Sequence, residues 1–102
     1  MTKIKLCGIK SEDDIKVINE VLPDYIGFVF AKKSKRYISF DTANILKSRL
    51  DNRVKAVGVF VNEDIENIAY LVKNKIIDIV QLHGNEDESY INTLKTKINV
   101  PI

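Results

Sequence analysis

Apolar residues along this chain fall into short continuous runs, separated by amphipathic stretches of about ten residues, and the two patterns alternate from one end to the other. The runs are residues 3–7, 25–30, 55–61 and 78–82, the last three rich in Val, Ile or Phe, and they predict strands. The second is almost wholly apolar, which suits a strand covered on both faces in a parallel sheet. Between the runs, apolar positions recur at helical spacing: Ile15, Ile18 and Leu22, then Ala43, Leu46 and Leu50, then Ile65, Ile68, Ala69 and Val72, then Ile91 and Leu94. Start signals accompany each helix. Ser11 with Asp14 three residues on resembles a capping box, Ser39 or Asp41 opens the second helix, Asn62 or Asp64 the third, and Asp87 or Ser89 the fourth. Pro23 and Asp24 end the first helix, and residues 98–102 predict the onset of a fifth strand.

Four strand-then-helix units in strict succession imply right-handed parallel crossovers and an α/β fold. Two architectures share that alternation, an open doubly wound sheet and a closed (β/α)₈ barrel. A dinucleotide-binding sheet wants Gly-x-Gly-x-x-Gly after its first strand, and Cys7-Gly8-Ile9-Lys10-Ser11 offers one glycine; no Walker A segment occurs. Polar groups instead gather just past the strands: Cys7, the loop 31–36, Asn62, and Gln81 with His83. In a barrel such strand ends lie around one rim and face a common centre, as an active site requires.

Composition narrows the setting. With 102 residues, 45% apolar and 29% charged, the chain has material for one small core and no second domain. A net charge of +2, with lysines interspersed among acids, argues against a nucleic-acid partner. No apolar run approaches the roughly 18 residues of a membrane span, and Met1-Thr2-Lys3-Ile4-Lys5 lacks a signal-peptide core, so a cytoplasmic protein without membrane contact is expected. One cysteine excludes an internal disulfide.

The basic loop Lys32-Lys33-Ser34-Lys35-Arg36 reads as an anion clamp at the mouth of the second strand. Arg36 is its best-suited member, because a guanidinium meets a planar carboxylate with two parallel hydrogen bonds where an ammonium offers a point charge. The lysines raise the positive potential that draws an anion in. Cys7 ends its strand, precedes a glycine that permits close ligand approach, and lies shortly before a helix N-terminus that favours a thiolate.

The run Lys5-Leu6-Cys7-Gly8-Ile9, the run from Gly27 to Ser39, then Val57-Gly58-Val59-Phe60-Val61-Asn62 and Val80-Gln81-Leu82-His83-Gly84 resemble, in order and spacing, the N-terminal half of phosphoribosylanthranilate isomerase. The resemblance spans essentially the whole chain. It implies a (β/α)₈ barrel, represented here by four βα units and the start of a fifth strand. The implied activity is an Amadori rearrangement in tryptophan biosynthesis, taking the aminoaldose N-(5-phosphoribosyl)anthranilate to an aminoketose without metal or cofactor. In the family the general base is the cysteine that maps onto Cys7, and the arginine meeting the anthranilate carboxylate maps onto Arg36. Gln81 and His83 match the pair on the fourth strand that lines the same pocket.

The same resemblance sets the expectation that residues 1–102 form a single incomplete domain. The family's aspartate general acid and glycine-rich phosphate loops belong to later strands and have no counterpart here. Such a half-barrel is expected to be inactive by itself, to turn Val, Ile and Phe toward an open hollow, and to self-associate through its open strand edges. The competing readings are a non-catalytic half-barrel that dimerises and binds an anionic metabolite, a nucleic-acid module using residues 32–37, and an indole-glycerol phosphate synthase. That last enzyme uses a lysine acid in place of a first-strand cysteine.

Overall fold

A computed structural model describes residues 5–102 of the chain. Four strands, β1 (Lys5–Cys7), β2 (Tyr25–Val29), β3 (Lys55–Phe60) and β4 (Ile79–Leu82), alternate with four helices, α1 (Glu12–Val21), α2 (Phe40–Arg49), α3 (Ile65–Lys73) and α4 (Glu88–Lys97). The strands form one parallel sheet in the order β1-β2-β3-β4. The part of the first predicted strand before Lys5 lies outside the described residues.

Every helix opens on a side chain that satisfies its free N–H groups. Ser11 accepts from the Asp14 backbone while Asp14 accepts from the Ser11 backbone, a complete capping box. Ser39, Asp64 and Asp87 cap the others, so Asp41, Asn62 and Ser89 are not caps. Leu22 is not on the inner face of α1 either. It is the left-handed terminal residue, at φ 53°, with its N–H on the Ile18 carbonyl and its side chain exposed.

Strand parity divides the core in two. Ile26, Phe28, Ala56 and Val80 point to the helices, together with the strand-end residues Phe30 and Phe60, and pack against Ile15, Ile18, Leu46, Ile68, Leu71 and Leu94. Phe30 stacks on Phe60 with centroids 5.3 Å apart and meets Phe40 edge-on, contacts worth about 0.5–1.5 kcal/mol each beyond burial. The expectation of phenylalanines facing an open hollow is therefore wrong. The other face carries Val29, Val57 and Val59, flanked by Tyr25, Ala31 and Ile79, and these valines are only 5–7% exposed. Small β-branched residues on a concave face cover one another, so the hollow is not a broad wet apolar surface.

Phe30 and Val61 lie beyond their strands, although the Phe30 N–H still donates to the Val59 carbonyl. Residues 98–102 form no strand. Pro101 does reach the β4 edge, where its carbonyl accepts from the Val80 N–H at 2.9 Å, but a proline cannot return a ladder bond. Among the described residues no helix is long and apolar enough to cross a membrane.

Candidate active site at the C-terminal strand ends

The concave face can be read directly from the register. Cys7 pairs with Gly27, Gly27 with Val57, and Val59 with Gln81, so Cys7, Val57, Val59 and Gln81 share one face. Cys7 is exposed at the end of β1. Its neighbour across the ladder must be glycine, because a Cβ on Gly27 would lie 2.8 Å from the Cys7 Sγ and 3.3 Å from its Cα. The thiol thus rests over bare β2 backbone. Beyond it the chain turns sharply: Gly8 takes φ +85°, and the Gly8 and Ile9 N–H groups both donate to the Gly27 carbonyl.

Residues 31–39 form an ordered strap. The Ser34 N–H donates to the Ala31 carbonyl, the Tyr37 N–H to Ser34, and the Ile38 N–H back to Val29, where Tyr37 makes an isolated parallel bridge. Within the strap the Arg36 N–H donates to the Ser34 hydroxyl at 3.1 Å. The Arg36 side chain lies across Gly8: a Cβ there would sit 2.4 Å from its Cδ and 3.1 Å from its Nε. Glycine at position 8 therefore serves both the positive φ and the passage of the arginine stem. The arginine stem, from the loop after β2, thus crosses the residue that directly follows Cys7.

Gln81 lies on the same face, and its Oε1 accepts from the Lys5 ammonium, a bond spanning the hollow from β1 to β4. His83 follows β4, exposed, with its backbone N–H on the Phe60 carbonyl at 2.8 Å. The Cys7 thiol, the Arg36 guanidinium and the His83 imidazole have no hydrogen-bond or ion-pair partner among the described residues, which leaves all three available to a ligand.

Of the rim residues, Glu86 and Tyr90 were not singled out from sequence, whereas Asn62 was. Glu86 accepts from the Asn62 and Gly84 backbone N–H groups, both at 2.8 Å, clamping the ends of β3 and β4 together. Asn62, at φ 51°, accepts from the Asn85 N–H, and the Tyr90 hydroxyl donates to the Glu63 carbonyl at 2.6 Å. Burial raises the Tyr90 phenol above its ordinary value, with Glu86, Glu63 and Asp64 adding to the shift. The place of Glu86 one residue before the Asp87 cap gives no sign of the Asn62 and Gly84 N–H groups it accepts from. The partner strand could not be read from it.

A groove of about 1230 Å³ lies at the other end of the sheet, against Lys55, Asp78, Ile79 and residues 96–101. It gathers no thiol, imidazole or arginine, and the rim is the better candidate.

A curved parallel sheet with helices on its convex side and reactive groups at the strand C-termini defines a segment of a βα-barrel. The chain belongs to the N-(5'phosphoribosyl)anthranilate (PRA) isomerase family, whose model matches residues 4–102. The N-(5'-phosphoribosyl)anthranilate isomerase of Endomicrobium trichonymphae is 54% identical over 102 residues, covering all of this chain and 50% of that protein. The crystal structure of phosphoribosyl anthranilate isomerase from Thermotoga maritima superposes with a TM-score of 0.88 at 39% identity, covering 98% of this chain and 49% of that one. A second isomerase structure, in complex with reduced 1-(o-carboxyphenylamino)-1-deoxyribulose 5-phosphate, matches with a TM-score of 0.88 at 39% identity, over 98% of this chain and 52% of the other. The chain spans about half the length of the curated relatives it matches, and its four βα units correspond to half of their barrel.

Proposed function

We propose that residues 1–102 supply the general base and the carboxylate clamp of a phosphoribosylanthranilate isomerase site in tryptophan biosynthesis. The observation that carries this reading is the passage of the Arg36 stem over Gly8, next to Cys7. A substrate whose anthranilate carboxylate engages Arg36 presents its sugar toward the thiol. Once the furanose ring has opened to the C1 iminium, the Cys7 thiolate takes the C2 proton. The C2–H electron pair forms the C1=C2 bond and the iminium electrons return to nitrogen, giving an enolamine. Tautomerisation then yields the aminoketose. Gln81 and His83 line the same hollow, and no metal or cofactor enters these steps.

Protonation of the departing ring oxygen and capture of the phosphate require groups that the family draws from later strands. The 102-residue chain by itself is accordingly inactive, and its β1 and β4 edges favour pairing with another chain. Loss of a general acid alone lowers turnover by about 10²–10⁴-fold. The test joins these residues to the C-terminal half of the Thermotoga maritima relative and follows loss of N-(5-phosphoribosyl)anthranilate. The hybrid should turn over, its Cys7→Ala and Arg36→Met variants should not, and the 102-residue chain should be silent. A Cys7→Ala hybrid as active as its parent overturns the assignment.

A further inference from the structure

We infer that Lys10 is a positioning residue that holds Arg36 beside the thiol. This rests on the carboxylate-clamp reading above. Lys10 lies in the turn between β1 and α1. Its own backbone is fixed, since its N–H donates to the Asp14 carboxylate at 3.0 Å, the same oxygen that accepts from the Ser11 N–H. From that anchored base its ammonium crosses to the neighbouring strap and donates to the Lys35 carbonyl at 3.0 Å, 25 residues away in sequence. The peptide receiving this bond is the one that joins Lys35 to Arg36.

The strap's internal turns fix its shape and the Ile38 N–H on the Val29 carbonyl fixes its far end to β2, but neither sets the place of Lys35 and Arg36 over β1. Among the described residues, the arginine stem on Gly8 and the ammonium on the Lys35 carbonyl join that part of the strap to the Cys7 segment. The first depends on van der Waals contact of a flexible chain with a glycine and cannot by itself hold a guanidinium. The second is directional and charge-assisted. Lys10 therefore ties the capping box of α1 to the orientation of Arg36. The exposed ammonium of Lys33 lies on the strap, adds the same charge, and has no such bond among the described residues.

Because Cys7 is the only cysteine and is exposed, the 102-residue chain can report on the clamp without any isomerase turnover. Iodoacetate and iodoacetamide alkylate the same sulfur, each displacing iodide as the S–C bond forms, but only iodoacetate carries a carboxylate for Arg36. The ratio of their rates measures carboxylate guidance, and the neutral reagent corrects for changes in thiol reactivity. Lys10→Met should lower the ratio by about fivefold, the lower end of ordinary coupling between two sites. Lys10→Ala should do the same, Lys10→Arg should restore it, and Lys33→Met, which removes one attracting charge but no bond to the strap, should lower it clearly less than Lys10→Met does. A Lys10→Met ratio equal to the parent's, or a Lys33→Met loss as large, overturns the inference. If Arg36→Met also leaves the ratio unchanged, the clamp itself has failed and Lys10 has nothing to position. A ratio that depends on Arg36 but not on Lys10 overturns this inference alone.

Discussion

The two ends of the sheet use polar side chains in opposite ways. At the N-terminal end they are spent on one another. Asp78 accepts from the Lys47 ammonium and the Ala56 N–H, at 3.0 and 2.9 Å, joining α2, β3 and the start of β4. Asn19 donates to the Arg49 carbonyl and accepts from the Asp51 N–H, tying α1 to the end of α2. At the C-terminal end the backbone is also satisfied, through Glu86, Asn62 and the strap, yet the thiol, guanidinium and imidazole have no partner among the described residues. One end stabilises and the other leaves polar side chains free for a ligand, a division expected of barrels whose loops carry function.

The comparison breaks most visibly in activity. In the hybrid barrel, Cys7→Ala should cost about 10²–10⁴-fold in turnover while changing stability by no more than about 0.5 kcal/mol, because the thiol is exposed and makes no hydrogen bond among the described residues. Turnover and a thermal melt of the same sample decide it. Gly27→Ala comes next. The new methyl meets Cys7 backbone as well as its sulfur, so it cannot be relieved by a rotamer change alone, and about 1–3 kcal/mol should be lost together with the thiol's position.

Asp78→Ala should show the reverse profile. It strands an ammonium and the Ala56 N–H, costs about 1–3 kcal/mol in denaturant unfolding, and leaves alkylation of Cys7 unchanged. An altered Cys7 rate in Asp78→Ala would mean that the two ends are coupled.

These ends were unequally legible in the sequence. The strands, the helix caps and the polar residues at or just past each strand end follow from local spacing, which is why Cys7, Arg36, Gln81 and His83 could be named together. The facing of Phe28, Phe30 and Phe60 was misjudged because an apolar run shows no alternation, and only the register with glycine and valine neighbours assigns each residue to a face. Leu22 fits the helical period of α1 but falls on its left-handed cap, which periodicity does not see. Lys10, Glu86 and Asp78 act over 22 to 31 residues of sequence through single hydrogen bonds, and nothing local marks them.

The smallest effect separates the ends by pH. Near the N-terminal end, hydrogen bonds from the Arg53 side chain and backbone lower the Asp51 carboxyl from 3.8 to about 2. Its folded pKa is depressed, so its contribution is present above 3.8 and disappears as pH falls from there through about 2. At the rim, the Tyr90 phenol is raised above 10.0, so the neutral form is favoured in the folded state, and its contribution is present below 10.0 and disappears as pH rises through the folded value. Unfolding midpoints against pH should therefore be less sensitive to acid in Asp51→Asn and less sensitive to alkali in Tyr90→Phe, each without affecting the other limb.

Assigning Cys7 and Arg36 to one site requires thiol and guanidinium to stand side by side at one rim. Capping Cys7 with a ¹³C-methyl disulfide places an NMR-visible methyl on the sulfur of an otherwise unlabelled chain. A cross-relaxation peak between that methyl and the Arg36 Cδ protons is predicted. A methyl that sees only β1 and β2 protons, with Arg36 averaged in solvent, would contradict the account.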